Sequence, residues 1–202
     1  MREPLKLRLE VPPAALPVAL GEVRAHLRLD DDQVLEDALL LGMVRVATDA
    51  CEAFTRRALM TRTWTLVRDR WPDEDTGVVT LPRPPLQSVV DVRTIDEAGT
   101  QTVWSASNYV VDTAAVPGRL IAHAGRAFPH PGRRGAGIEI RFVAGYGDAP
   151  GDVPAPLRDG ILRFVTWIFE HRGDAVVPTA GVDAARASGA AALWRPFIVP
   201  RL

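Results

Sequence analysis

The feature that most limits the fold is a hydrophobic period that changes twice along the chain. Between Gln33 and Arg57, Leu35, Leu39, Met43, Val46, Ala50 and Phe54 recur at steps of three and four residues. Val34, Ala38, Leu41 and Ala53 widen that apolar face. The pattern predicts one long helix, about 37 Å at the usual rise per residue. Arg45/Asp49 and Glu52/Arg56 stand at i,i+4 spacing and are expected on its wet side. Ahead of it, Pro12, Pro13 and Pro17 precede a short helix expected from about Val18 to His26, with Leu20, Val23 and Leu27 on one face. Asp30, Asp31 and Asp32 read as acidic caps for the long helix.

From Thr61 the period becomes two and β-branched residues dominate. Strands are expected at 61–67, 78–81, 89–95, 102–104, 109–111, 119–121 and 138–143. Turn signals separate them at Pro82–Pro85, Glu97–Gly99, Pro117–Gly118 and Gly132–Gly137. Helical spacing returns from Leu157 to His171, with Leu157, Ile161, Leu162, Val165, Ile168 and Phe169 on one face and Arg172-Gly173 as the stop. The last thirty or so residues lose periodicity and end in Leu193-Trp-Arg-Pro-Phe-Ile-Val-Pro200, an apolar cluster with no obvious place in the chain's own core.

The fold class that follows is α+β. A small bundle of two N-terminal helices plus a C-terminal helix carries an inserted antiparallel β-region and an extended C-terminal tail. The expected division is 1–60 for the N-terminal helices, 61–150 for the β-rich region, 151–173 for the C-terminal helix and 174–202 for the tail. A chain of 202 residues buries enough surface to fold without staples. Its net charge of −1 argues against a strongly basic nucleic-acid binder. The N-terminus carries charges through Glu10 with no apolar h-region, so no secretory signal is expected, and no apolar run is long enough to predict a membrane span.

A search for chemistry returns structural readings. His26 and His171 fall near helix C-termini, where a partly charged imidazole suits the dipole, while His123 and His130 fall in or near a loop. None has metal-ligand spacing. The single cysteine, Cys51, reads as a buried, inert thiol on the long helix. Ser88, Ser105, Ser107 and Ser188 lack a nucleophile-elbow context. Asp69, Asp73, Glu74 and Asp75 look like a solvated loop. Gly132-Arg-Arg-Gly-Ala-Gly137 is basic and glycine-rich but precedes a strand, so it lacks the helix N-terminus of a phosphate cradle. It reads as a hairpin loop, with Arg133 and Arg134 as candidate contacts to a neighbour or to DNA phosphates. No catalytic residue, metal or cofactor is expected.

Several stretches, in order, resemble the head–tail adaptor (connector) proteins of tailed bacteriophages and phage-like gene transfer agents. They are Pro17–Asp30 followed by Ala-Cys-Glu-Ala-Phe-Thr-Arg-Arg-Ala-Leu59; Leu81-Pro-Arg-Pro-Pro-Leu-Gln-Ser-Val-Val90; Asn108-Tyr-Val-Val-Asp112 with Pro117-Gly-Arg-Leu120; and Ile140-Arg-Phe-Val-Ala-Gly-Tyr-Gly147 with Val153-Pro-Ala-Pro-Leu157. The closing Leu193–Val199 resembles the family's C-terminal tail, with Phe197 where a tyrosine often stands.

The resemblance implies a non-enzymatic, structural role in the neck of a virion or phage-like particle, assembled in the bacterial cytoplasm. Family members form a homo-oligomeric ring, commonly of twelve copies, that joins the portal protein to the stopper and tail and lets double-stranded DNA pass. It implies no membrane partner. Leu193, Trp194, Arg195, Pro196, Phe197, Ile198 and Val199 become the expected portal-binding residues, with about 2 kcal/mol available from each large apolar side chain buried there. The alternative for this segment is that it folds back onto its own core. The alternatives for the whole chain are a monomeric β-rich binding module and a hydrolase of unknown substrate.

Overall fold

The computed structural model describes residues 6–29, 36–71, 77–172 and 182–200. The acidic caps at Asp30–Asp32, the start of the long helix through Leu35 and the acidic run Asp73–Asp75 lie outside the described residues. The chain divides into two compact units.

The β unit comprises Thr61–Gly145 and the N-terminal strand. Its strands are β1 (Lys6–Val11), β2 (Arg62–Arg68), β3 (Val78–Thr80), β4 (Leu86–Ile95), β5 (Gln101–Trp104), β6 (Tyr109–Asp112), β7 (Arg119–Ala122) and β8 (Ile138–Ala144). The seven expected strands are all present, each within a few residues of its predicted limits. β1 was not expected: its Lys-Leu-Arg-Leu-Glu-Val alternates, but nearly every residue is exposed, so no buried face marks it. Five strands form one antiparallel sheet in the order β1-β2-β8-β4-β5, and three form a second in the order β3-β7-β6.

Register sorts the large sheet into two faces. Trp64 pairs with Phe142, Leu66 with Ile140, and Val92 with Ile140 across the next strand boundary, which gives a buried apolar face. The other face carries Thr65 opposite Arg141 and Asp91 opposite Arg141, with an Arg141–Asp91 ion pair at 2.6 Å. Polar residues thus line the second face, although Thr65 is itself buried there.

The helical unit comprises Pro13–Met60 and the chain from Tyr146 onward. Its helices are α1 (Leu20–Leu27), α2 (Asp37–Thr55), α3 (Ala155–Glu170), α4 (Val182–Ala187) and α5 (Ala190–Trp194). Glu22, in the first turn of α1, accepts a hydrogen bond from the Ala19 N–H at 2.9 Å, satisfying a donor the helix start leaves free. The same carboxylate pairs with Arg158 of α3, and Arg24 pairs with Asp37 at the start of α2, so ion pairs fix the mutual placement of three helices. The core gathers Val23, Leu40, Val44, Ala47, Cys51, Leu157, Ile161, Val165 and Trp194.

Two expectations for α2 are corrected. Leu39 and Val46, predicted in the core, are 46% and 55% exposed, and the buried stripe runs through Leu40, Met43, Val44, Ala47 and Cys51 instead. Both stripes satisfy a three-four spacing because α2 is apolar on more than one side, so periodicity alone could not choose between them. Glu52 is likewise buried instead of wet, with its Oε1 accepting from the Leu59 N–H at 2.9 Å.

The C-terminal segment is also corrected. Its described residues are not extended: they form α4, α5 and a 3-10 turn at Arg195–Phe197, and they pack into the helical unit. The sequence there is short-period and rich in alanine and glycine, which hid two helices of one to two turns each.

Candidate interaction site at the C-terminal segment

The residues expected to bind a partner meet the end of α2. An α-helix leaves its last four carbonyls without intrahelical partners. α2 stops at Arg56, which adopts the left-handed conformation (φ 60°) and donates its N–H to Glu52 O at 2.8 Å. The Thr55 carbonyl is then satisfied from far along the chain, by the Val199 N–H at 3.0 Å. Two consecutive arginines complete the clamp. Arg56 Nη1 donates to Val199 O at 2.7 Å, and Arg57 Nε donates to Phe197 O at 2.7 Å. Cationic side chains at a helix C-terminus also suit its dipole. The Thr55 hydroxyl turns inward and donates to Cys51 O at 2.7 Å.

Trp194 is the anchor. It is fully buried, its Nε1 donates to Leu157 O at 3.2 Å, and its ring lies 5.9 Å from Phe54 and 6.0 Å from Phe164. A buried indole with its N–H satisfied contributes its full apolar area to stability. Gly160 on α3 makes room for it: a Cβ at that position would collide with the indole. Tyr146 lies by Arg57, and burial pushes its phenol pKa up while the guanidinium partly offsets the shift. Burial and the nearby Glu52 push the Cys51 thiol pKa far up, which fits the inert thiol expected there.

The seven residues expected at a partner therefore divide. Trp194 and Val199 face their own core. Arg195, Pro196 and Ile198 are exposed, and Leu193 and Phe197 are half-buried. Trp194 and Val199 thus fold back onto their own core, and the outer side of the segment is exposed. Sequence reasoning missed the cradle because Glu52, Thr55, Arg56 and Arg57 looked like an ordinary wet helix end.

The basic loop is separate. Arg133 is turned inward, donating Nε to Ala136 O at 2.9 Å, whereas Arg134 is exposed. The loop is tied to the residue after β2 and to β4: the Ala136 N–H donates to Asp69 Oδ1 at 2.7 Å, and Ile95 N–H to Gly137 O at 2.8 Å. Phe128 stacks on Trp71 at 4.3 Å, and Trp71 Nε1 donates to Pro129 O at 2.8 Å. This aromatic brace had no periodic signature in the sequence. Among the described residues no group of three or more His, Cys, Asp or Glu side chains is placed to hold a metal. No helix among them is long and apolar enough to cross a membrane.

Comparison with known proteins shows what this α+β chain is similar to. The model of the phage gp6-like head-tail connector protein family matches residues 18–113. Three solved structures are similar over nearly the whole chain. One is the neck of an empty gene transfer agent (GTA) particle computed with C6 symmetry, at 27% identity and TM-score 0.79, covering 98% of this chain and 97% of that one. Another is the virion of a native gene transfer agent particle, at 26% identity and TM-score 0.76, covering 97% and 96%. A third is the neck of a native GTA particle computed with C12 symmetry, at 28% identity and TM-score 0.71, covering 98% and 96%. No curated protein matches. The resemblance read from the sequence is borne out as a resemblance: residues 18–113 match the head-tail connector family model, and nearly the whole chain is similar to structures of gene transfer agent particle necks.

Proposed function

We propose that this chain forms a ring of twelve copies in the neck of a phage-like particle, joining the portal to the stopper and tail and leaving a channel for DNA. The observation that carries this reading is the match of 98% of the chain to a neck computed with C12 symmetry. A closed ring needs a heterologous contact whose rotation closes, which one chain with two unlike faces can supply. A near-neutral protein also suits a conduit, because every phosphate neutralised adds salt-sensitive affinity that would hold the DNA back.

The C-terminal segment is the portal contact in this reading. Trp194 and Val199 hold the segment to its own subunit, and Leu193, Arg195, Pro196, Phe197 and Ile198 present its outer side. A weak contact per copy suffices when a ring engages the portal multivalently. Arg134 is the residue of the basic loop available to a neighbour or to a phosphate, Arg133 being committed internally.

The test substitutes exposed residues only, because removing the whole segment would also remove the Trp194 anchor. Arg195→Glu with Ile198→Glu is expected to leave the melting temperature of the isolated protein unchanged and to yield DNA-filled heads without tails by electron microscopy. Normal tailed particles from that variant would discard the portal contact. A neck imaged without this protein in a ring would discard the function.

A further inference from the structure

α2 is apolar on two sides, and only one of them is covered. Leu40, Met43, Val44, Ala47 and Cys51 face the core of the helical unit. Roughly a third of a turn round the helix from that stripe, Leu39 is 46% exposed, Val46 is 55% exposed, and Ala53 is also exposed. Residues seven apart stay on one face of a helix, drifting only about 20° per step. Leu39, Val46 and Ala53 therefore form one outward row along the helix. An apolar row left in water beside a covered stripe is a surface available to a partner.

The charges beside that row indicate what covers it. Arg45 and Asp49 are exposed, opposite in sign and one turn apart, yet neither makes an ion pair among the described residues. The same spacing is closed on α3, where Asp159 and Arg163 pair at 3.2 Å. An apolar row flanked by one charge of each sign does not suit a polyanion, since Asp49 would repel phosphate. It suits a protein surface close to neutral, and the chain itself carries −1. Similar structures were computed with C6 and with C12 symmetry. In a cyclic assembly each copy touches the next through two unlike surfaces.

We propose that the Leu39–Val46–Ala53 face of α2 is one half of the contact between neighbouring copies, covered by a second copy of this chain. This rests on the ring reading above. The row supplies the apolar centre of the contact, and Arg45 and Asp49 supply its polar edge and its register.

The test places a photo-crosslinking amino acid at Val46 in the full chain, assembled into particles, with the exposed Glu170 of α3 as the comparison position. Irradiation is expected to give a product of two 22.0 kDa chains from position 46, at least about tenfold above position 170. Cross-linking of position 46 to a different neck protein, or no dimer above the comparison, overturns the assignment of this face. Imaging of the same particles separates the two levels. A ring without the position-46 dimer removes only the α2 face, whereas no ring removes the function as well. Leu39→Asp with Val46→Asp is the second arm. The isolated variant is expected to melt like the parent protein but to be absent from purified necks, and its normal incorporation overturns the proposal.

Discussion

Arg56 and Val199, each near the end of one of the helical unit's two segments, are joined by a hydrogen bond of 2.7 Å from the Arg56 guanidinium to the Val199 carbonyl. The Val199 N–H returns a bond to the Thr55 carbonyl at 3.0 Å, so the end of α2 and the end of the described chain satisfy one another. The link makes the C-terminal segment part of the fold while its outer side stays open.

Arg56→Ala with Arg57→Ala removes two charge-assisted bonds to the segment's carbonyls. Each such bond contributes roughly 1.5–3 kcal/mol when its acceptor is left unpaired. The segment, not the whole unit, is expected to loosen. Hydrogen exchange at Val199 should accelerate by at least about tenfold, while amides in the middle of α2 change little. Equal acceleration at both places would show that the arginines support the unit as a whole.

Trp194 and Gly160 are a matched pair. Alanine in place of an exposed helical glycine ordinarily stabilises by about 1 kcal/mol. At position 160 the added methyl meets the indole, so Gly160→Ala is expected to destabilise by about 1–3 kcal/mol in denaturant unfolding. Trp194→Ala should cost about 3–5 kcal/mol. In combination the two should fall short of additive, because each removes the other's reason for its cost. Additive losses would show that the contact does not decide the packing.

The order and type of most elements were legible because their periods differ so plainly. Seven strands and three helices were placed from alternation, three-four spacing and turn residues. What was illegible had a physical reason in each case. β1 has no buried face to alternate with. α4 and α5 are too short for a period to accumulate and depend on tertiary packing for stability. The cradle for the C-terminal segment joins Arg57 to Phe197, 140 positions apart, and no local pattern reports a contact of that span. The sequence offered no place in the chain's own core for the cluster containing Trp194 and Phe197, yet the surface that takes Trp194 belongs to the same chain.

Cys51 provides a pH-linked check on the α2 core. Burial and the adjacent Glu52 carboxylate push its thiol pKa up, so the thiolate is scarce well above the ordinary thiol range near pH 8.5. A group whose acid pKa is raised in the folded state favours folding while it stays protonated, and that contribution falls once pH climbs past the unfolded-state value. In native protein at about pH 8 a thiol reagent should not label Cys51, and in denaturant labelling should be complete within the mixing time. Rapid native labelling would show that the region between α2 and α3 opens readily.

Leu39 and Leu40 test the phase of α2 directly, since they are chemically identical neighbours about 100° apart round one helix. Leu40 is fully buried, and Leu39 is 46% exposed. Leu40→Ala leaves a cavity and is expected to cost about 2–5 kcal/mol. Leu39→Ala removes a side chain already half in water and exchanges it for the best helix former, so its cost in the isolated protein should stay within about 0.5 kcal/mol. Denaturant midpoints of the two variants measure the difference. The reverse ranking would restore the stripe through Leu39, Met43, Val46 and Phe54 that periodicity first suggested and would reverse the side of α2 that packs against α3. A large gap in the expected direction fixes which side remains to be covered by other means.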